Sequence, residues 1–149
     1  MQSACGWRYN ILMADHEQFD ILTRDVDAWN QWREDNPNVK PDLSFSVMRG
    51  VDLTLANLAH TVLRECDLVL ANLRGADLRH ADLTGANLVG ARLLGVDLAH
   101  ANLCGADLST AEDLTGEQLR QTKGDSLTRL PDGMPVPTHW TMARKGRSA

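Results

Sequence analysis

Residues 76–90 read ADLRH ADLTG ANLVG, three successive copies of one five-residue unit. Followed outward in both directions, the unit holds from residue 41 to residue 110. Leucine stands at 43, 53, 58, 63, 68, 73, 78, 83, 88, 93, 98, 103 and 108, and Met48 fills the one gap. Two places before each comes a small residue, which is Ala in eight of the fourteen units. The place immediately before is Asp or Asn in eleven, and Gly follows two places later in six.

A period of five suits no simple element. On an α-helix, with about 100° per residue, successive leucines would sit roughly 140° apart and line no single face. On a flat strand an odd period sends every second leucine to the opposite face. The chain must therefore turn a corner once per unit. Asp and Asn supply that turn by bonding to nearby backbone, and Gly supplies permissive φ. With a bend in every unit, all fourteen large side chains can point to one interior, with the alanines beside them.

This pattern resembles the pentapeptide-repeat family over residues 41–110. The resemblance implies an all-β fold, a right-handed quadrilateral parallel β-helix with twenty residues per coil, hence about 3.5 coils here. AWNQWREDNP (28–37) before PDLS is similar to the family's lead-in. LTGEQLRQTKGDSLTRLPDGMPVPTHW (114–140) is similar to the tail of bacterial members. On this geometry Leu43, Leu63, Leu83 and Leu103 form one inward column, and Met48, Leu68, Leu88 and Leu108 the next. Leu53, Leu73 and Leu93, then Leu58, Leu78 and Leu98, complete the four. At ~4.8 Å per coil the repeat block is ~17 Å tall. Val47, Val62 and Arg92 stand where Asp or Asn is usual and put the local turn in question at those three units.

A solenoid has two open edges, which terminal caps must cover. The chain divides accordingly into a tail and capping helix (1–40), the coil (41–110), and a capping helix with a Pro-rich strap and basic tail (111–149). Asp15 with Gln18 has the form of a capping box, Phe19, Leu22, Val26 and Trp29 follow at helical spacing, and Asn36-Pro37 ends the helix. Trp29 and Trp32 are expected to pack on the first coil. Thr115 with Gln118 is expected to open a second helix ending near Gly124, with Leu114, Leu119 and Leu127 under the last coil. Pro131, Pro135 and Pro137 then impose an extended run that Trp140 anchors to the solenoid wall.

The net charge of −5 is spread thinly. The segment 1–40 carries 4 basic and 7 acidic side chains, 41–110 carries 5 and 8, and 111–149 carries 6 and 5. No basic face suited to direct nucleic-acid binding results, and Arg144, Lys145 and Arg147 sit in the terminal tail. No window is long and apolar enough for a membrane span, and residues 1–14 hold no secretory h-region, so a cytoplasmic location is the expectation. Three cysteines, Cys5, Cys66 and Cys104, without a CxxC, fit a reducing compartment.

The one constellation suggestive of chemistry is a histidine column. His60, His80 and His100 recur at twenty-residue spacing, outward and two places after an inward leucine. Stacked imidazoles could share a soft divalent metal, or change charge near pH 6, where like charges repel. The competing reading is a tolerant corner position repeated by duplication of coils. Asp52, Asp67, Asp77, Asp82, Asp97 and Asp107 occupy the turn place and are expected to bond local backbone. Arg64, Arg74, Arg79 and Arg92 read as solvated surface. Cys66 falls in the inward place and Cys104 outward. GxxxxGK[ST], GxSxG and HExxH are absent, and no GxGxxG opens a helix after a strand. No cofactor is implied, and an enzyme is the class least expected.

Three functions compete. The first is a non-catalytic protein-interaction or scaffold module, with an unidentified protein partner and a homodimer through an end or face as one form of it. The second comes from the resemblance, since some pentapeptide-repeat relatives protect DNA gyrase: a DNA mimic acting on a topoisomerase. Duplex DNA carries one charge per ~1.7 Å, so a rod ~17 Å tall would need about ten, against three net negative charges in the repeat block. The third is metal or pH sensing through His60, His80 and His100.

Overall fold

The computed structural model describes residues 15–140. The segment 1–14 with Cys5, and Arg144, Lys145 and Arg147, lie outside the described residues. Between residues 41 and 112 the backbone repeats one bridge and one turn in every five residues. Each bridge joins residue i in parallel to residue i+20, from Asp42 to Val62 through to Arg92 to Glu112. One lap of the coil is therefore twenty residues and four bridge-and-turn units. No extended strand forms, because the chain leaves the ladder for a corner after a single paired residue.

The corner has one construction throughout. The N–H three places after each inward residue donates to its carbonyl, as from Ala76 to Leu73 at 2.9 Å. In all the units but the last, which turns at Thr110, the third residue of the turn takes positive φ, as a type II turn requires. Glycine meets that demand at Gly50, Gly75, Gly85, Gly90, Gly95 and Gly105, while Phe45, Leu55, His60, Glu65, Leu70, His80 and His100 meet it at φ between 56° and 63°. A non-glycine residue in this region gives up about 1–2 kcal/mol. Between laps, the corners from Phe45 to Gly85, and His100, are pinned by a backbone N–H donated to the lap that follows, as from His80 to Ala99 at 3.0 Å.

The interior is as the five-residue period requires. All fourteen leucine-type positions are at most 2% exposed, and the alanines beside them fill the remaining space. All eleven Asp and Asn residues of the preceding position accept from the N–H two places on, at 3.0–3.2 Å. Val47, Val62 and Arg92 cannot, yet their units turn all the same, with closing bonds of 3.3, 3.3 and 3.1 Å. Inter-lap bonding holds the corner without the side-chain contribution.

The N-terminal cap, expected as one helix, is two, α1 (His16–Arg24) and α2 (Val26–Asp35). The break falls at Asp25, whose carboxylate accepts from Asp27 and Ala28 N–H and so starts α2 anew. The Asp15 capping box forms only in half. Asp15 accepts from Gln18 N–H, but the Gln18 side chain accepts from Asp42 N–H on the coil rim, and Asp15 N–H donates to Asp42 O. Trp29 is fully buried, stacks on Trp32 at 5.2 Å, and donates its indole N–H to Asn57 O at 2.8 Å. Asn30 and Arg33 bond the same rim at Leu55, Asn57, Ala59 and Thr61.

At the other end the structure departs from expectation. No α-helix forms over 115–124; residues 116–121 are turns. The reciprocal Thr115 and Gln118 bonds of a capping box are present, but the chain does not go on to wind a helix. Instead it makes a further partial lap with slipped register, pairing Asn102 with Lys123 and Asp107 with Arg129, one and two residues beyond the usual twenty. The Gln118 amide donates to Leu93 and Val96 carbonyls, in place of a bridge on that side. Leu114 and Leu119 are buried as expected, whereas Leu127 is exposed, displaced by the slip. Trp140 does anchor the strap: it is buried against Gly124, and its indole N–H and the His139 ring both contact Thr122 O.

Candidate functional site

The histidine column lies on one edge of the coil. His60, His80 and His100 each occupy the left-handed corner position, a conformation in which His is enriched among non-glycine residues. Their rings stack face to face, His60 on His80 at 4.7 Å and 5°, His80 on His100 at 4.8 Å and 16°. Backbone spacing imposes this distance. In this stacked arrangement the in-plane nitrogen lone pairs of the parallel rings do not converge on one point. Among the described residues no group of three or more His, Cys, Asp or Glu is arranged to hold a metal. The structure thus brings the three rings together as a stack. Desolvation first, then His60, His100 and Arg79, hold the His80 imidazolium below its ordinary pKa, with Asp77 opposing.

Beside the column, α2 and the coil bound a cleft of about 370 Å³, lined by Arg33, Glu34, His60, Asp77, Arg79 and His80 among others. Arg79 binds Asp77 at 2.9 Å through Nε and 2.6 Å through Nη2, and this contact depresses the Asp77 carboxyl. A second, larger cleft of about 690 Å³ lies between Leu94–Ala99 and the slipped turns that carry Asp113, Glu117 and Gln118.

The turn carboxylates are engaged as expected, and more completely than expected. Besides their backbone bonds, Asp67 pairs with Arg49 at 3.0 Å, Asp82 with Arg64 at 3.2 Å and Asp97 with Arg79 at 3.9 Å. The spacing is eighteen in every case, from the outward position of one lap to the turn position of the next. That signal was present in the sequence, where Arg64 and Arg79 read only as solvated surface. Cys66 is buried, donates Sγ–H to Leu43 O, and burial pushes its thiol up to about 12.

Comparison with known proteins gives a consistent result. The family model for pentapeptide repeats matches residues 42–75 and 71–109, with eight copies. The crystal structure of the pentapeptide repeat protein Rfr23 from the cyanobacterium Cyanothece 51142 is similar at 32% identity and TM-score 0.53, over 62% of this chain and 67% of that one. HetL from Nostoc sp. strain PCC 7120, a pentapeptide repeat protein involved in heterocyst differentiation regulation, is similar at 31% identity and TM-score 0.50. The match covers 60% of this chain but only 39% of HetL. A pentapeptide repeat protein of the Arabidopsis thaliana thylakoid lumen is similar at 26% identity and TM-score 0.50, over 68% and 72% of the two chains. No curated protein matches the sequence.

Proposed function

As the chain belongs to the pentapeptide-repeat family, we propose that it is a non-catalytic protein-interaction module wound as a right-handed quadrilateral β-helix. The observation that carries this reading is the placement of large apolar side chains on the outside of the coil. Phe45, Val47, Leu55 and Leu70 are 56–67% exposed, and all lie in its first thirty residues. Most later corners are glycine. Three of the four sit at different corners of the lap, each fixed by hydrogen bonds between laps, so a partner that covers any of them orders little further backbone there. The partner in this proposal is a protein, a second copy of the chain included. A bacterial cytoplasm is the proposed setting; among the described residues no helix is long and apolar enough to cross a membrane.

DNA mimicry ranks below this reading. Duplex DNA offers bare phosphates at ~1.7 Å per charge, whereas here Asp67, Asp77, Asp82, Asp97 and Asp107 are each paired with an arginine. A photo-cross-linking residue placed in turn at Leu55, Leu70 and Ser109 tests the proposal in host cells. One discrete adduct from Leu55 and Leu70 but not from Ser109 is expected. No adduct from either leucine would end the proposal. A gyrase supercoiling assay that responds at micromolar protein would promote the mimic instead.

A further inference from the structure

We propose that the cleft between α2 and the histidine edge binds a tetrahedral oxyanion, either free or as a phosphoryl group, and that binding is coupled to protonation of His60 and His80. Arg33 is the starting point. Its three bonds go to neutral oxygens, Asn57 O, Thr61 Oγ1 and Ala59 O. A guanidinium has five N–H donors, so two remain. Among the described residues Arg33 makes no ion pair with a carboxylate, yet it is half-buried, and that burial lowers its pKa. Asp77 acts on it only at a distance, being held by Arg79. A partly desolvated guanidinium with unused donors is suited to a planar or tetrahedral oxyanion, which it can grip through two N–H groups.

The same cleft exposes His60 and His80. Protonating both sets two positive charges 4.7 Å apart, next to Arg79 and Arg33. An anion between the imidazoles and Arg33 turns that repulsion into attraction. The other charged or titrating groups facing the column are Glu34 from α2, Asp77 and Asp97 from the coil, and His100 below. Asp77 and Asp97 are both paired with Arg79, which leaves exposed Glu34 as the carboxylate that competes with an entering anion. Binding an anion raises the imidazole titration midpoints, so affinity must fall as pH rises through them.

Sulfate is the suitable probe, because its charge is constant between pH 5 and 8. The ring resonances of His60, His80, His100 and His139 are followed by NMR against pH, with and without sodium sulfate at fixed ionic strength. The expected result is an upward shift of the His60 and His80 midpoints, with sulfate bound about tenfold more tightly at pH 5.5 than at pH 8, the ratio for shifts that sum to about one unit. Glu34→Gln should tighten binding several-fold. Arg33→Gln should abolish it, and His80→Asn, which keeps a residue tolerant of the left-handed corner, should flatten its pH dependence. Phenyl phosphate distinguishes the source: binding as tight as sulfate points to a phosphoryl group carried on another molecule, and exclusion to the free anion. Midpoints that move no more than that of distant His139 would overturn the proposal. So would unchanged sulfate affinity in Glu34→Gln and His80→Asn proteins that retain the native spectrum.

Discussion

Leu78→Ala is the perturbation whose magnitude follows most directly from the structure. Leu78 is fully buried, in the inward column between Leu58 and Leu98, both also buried. The change removes three carbons, and at ~0.8 kcal/mol each the transfer loss is about 2.4 kcal/mol. A cavity contribution adds to this unless neighbours close in, and here closure is opposed. The backbone on either side is tied to the adjacent laps, Asp77 N–H to Ala56 O at 3.0 Å and Leu78 N–H to Asp97 O at 2.9 Å. The total should therefore fall at roughly 3–5 kcal/mol, the upper part of the range for such truncations. Leu70→Ala is the control, since Leu70 sits two units earlier but points outward and is 66% exposed. Its truncation should change stability by no more than about 0.5 kcal/mol. Urea denaturation followed by circular dichroism measures both. Equal effects, or a Leu78→Ala loss below about 1 kcal/mol, would refute the assignment of inward and outward positions.

Other outcomes follow from individual contacts. Gly50 and Gly90 share a positive φ of 66° and 68°, but a Cβ on Gly50 meets nothing, whereas one on Gly90 would lie 2.6 Å from Leu70 Cδ2. Gly50→Ala should cost about 1 kcal/mol, and Gly90→Ala more, with the excess recovered in Gly90→Ala/Leu70→Ala; urea midpoints of the three variants test this, and no recovery would contradict it. Cys66, pushed up to about 12 by burial, should resist a thiol reagent at pH 8 in the native protein and react once unfolded. Because the folded-state pKa of His80 is lowered, the unfolded chain binds the proton first, so this contribution is complete above the unfolded pKa of ~6.5 and declines as pH falls through it. Melting temperature measured across pH 5–8 should fall on the acid side, and His80→Asn should reduce the slope.

What could be read from the sequence was what is local. The inward leucines, the Asp and Asn turn bonds and the glycine corners depend on contacts within five residues and on a strict period, and they were legible. The histidine edge was legible because twenty-residue spacing places equivalent positions in register. Contacts that cross registers were not. Arg33 and Asn30 bond carbonyls, a hydroxyl and an N–H of the rim 24 to 28 residues away, with no periodicity to announce them. The C-terminal end misled for a physical reason. Thr115 and Gln118 form the bonds of a helix start, but Gln118 also satisfies two carbonyls of the lap above, and the chain follows the coil instead. The resulting slip of one and then two residues places Leu127 outside.

The twenty-residue lap underlies every assignment above, and the stacked imidazoles report on it without any substitution. Nuclear Overhauser contacts should connect the ring protons of His60 with His80 and of His80 with His100, at ring separations of 4.7 and 4.8 Å, and should be absent between His60 and His100, which stand two laps apart. Rings that show no mutual contact, or His60 touching His100 directly, would mean that the chain does not return above itself every twenty residues.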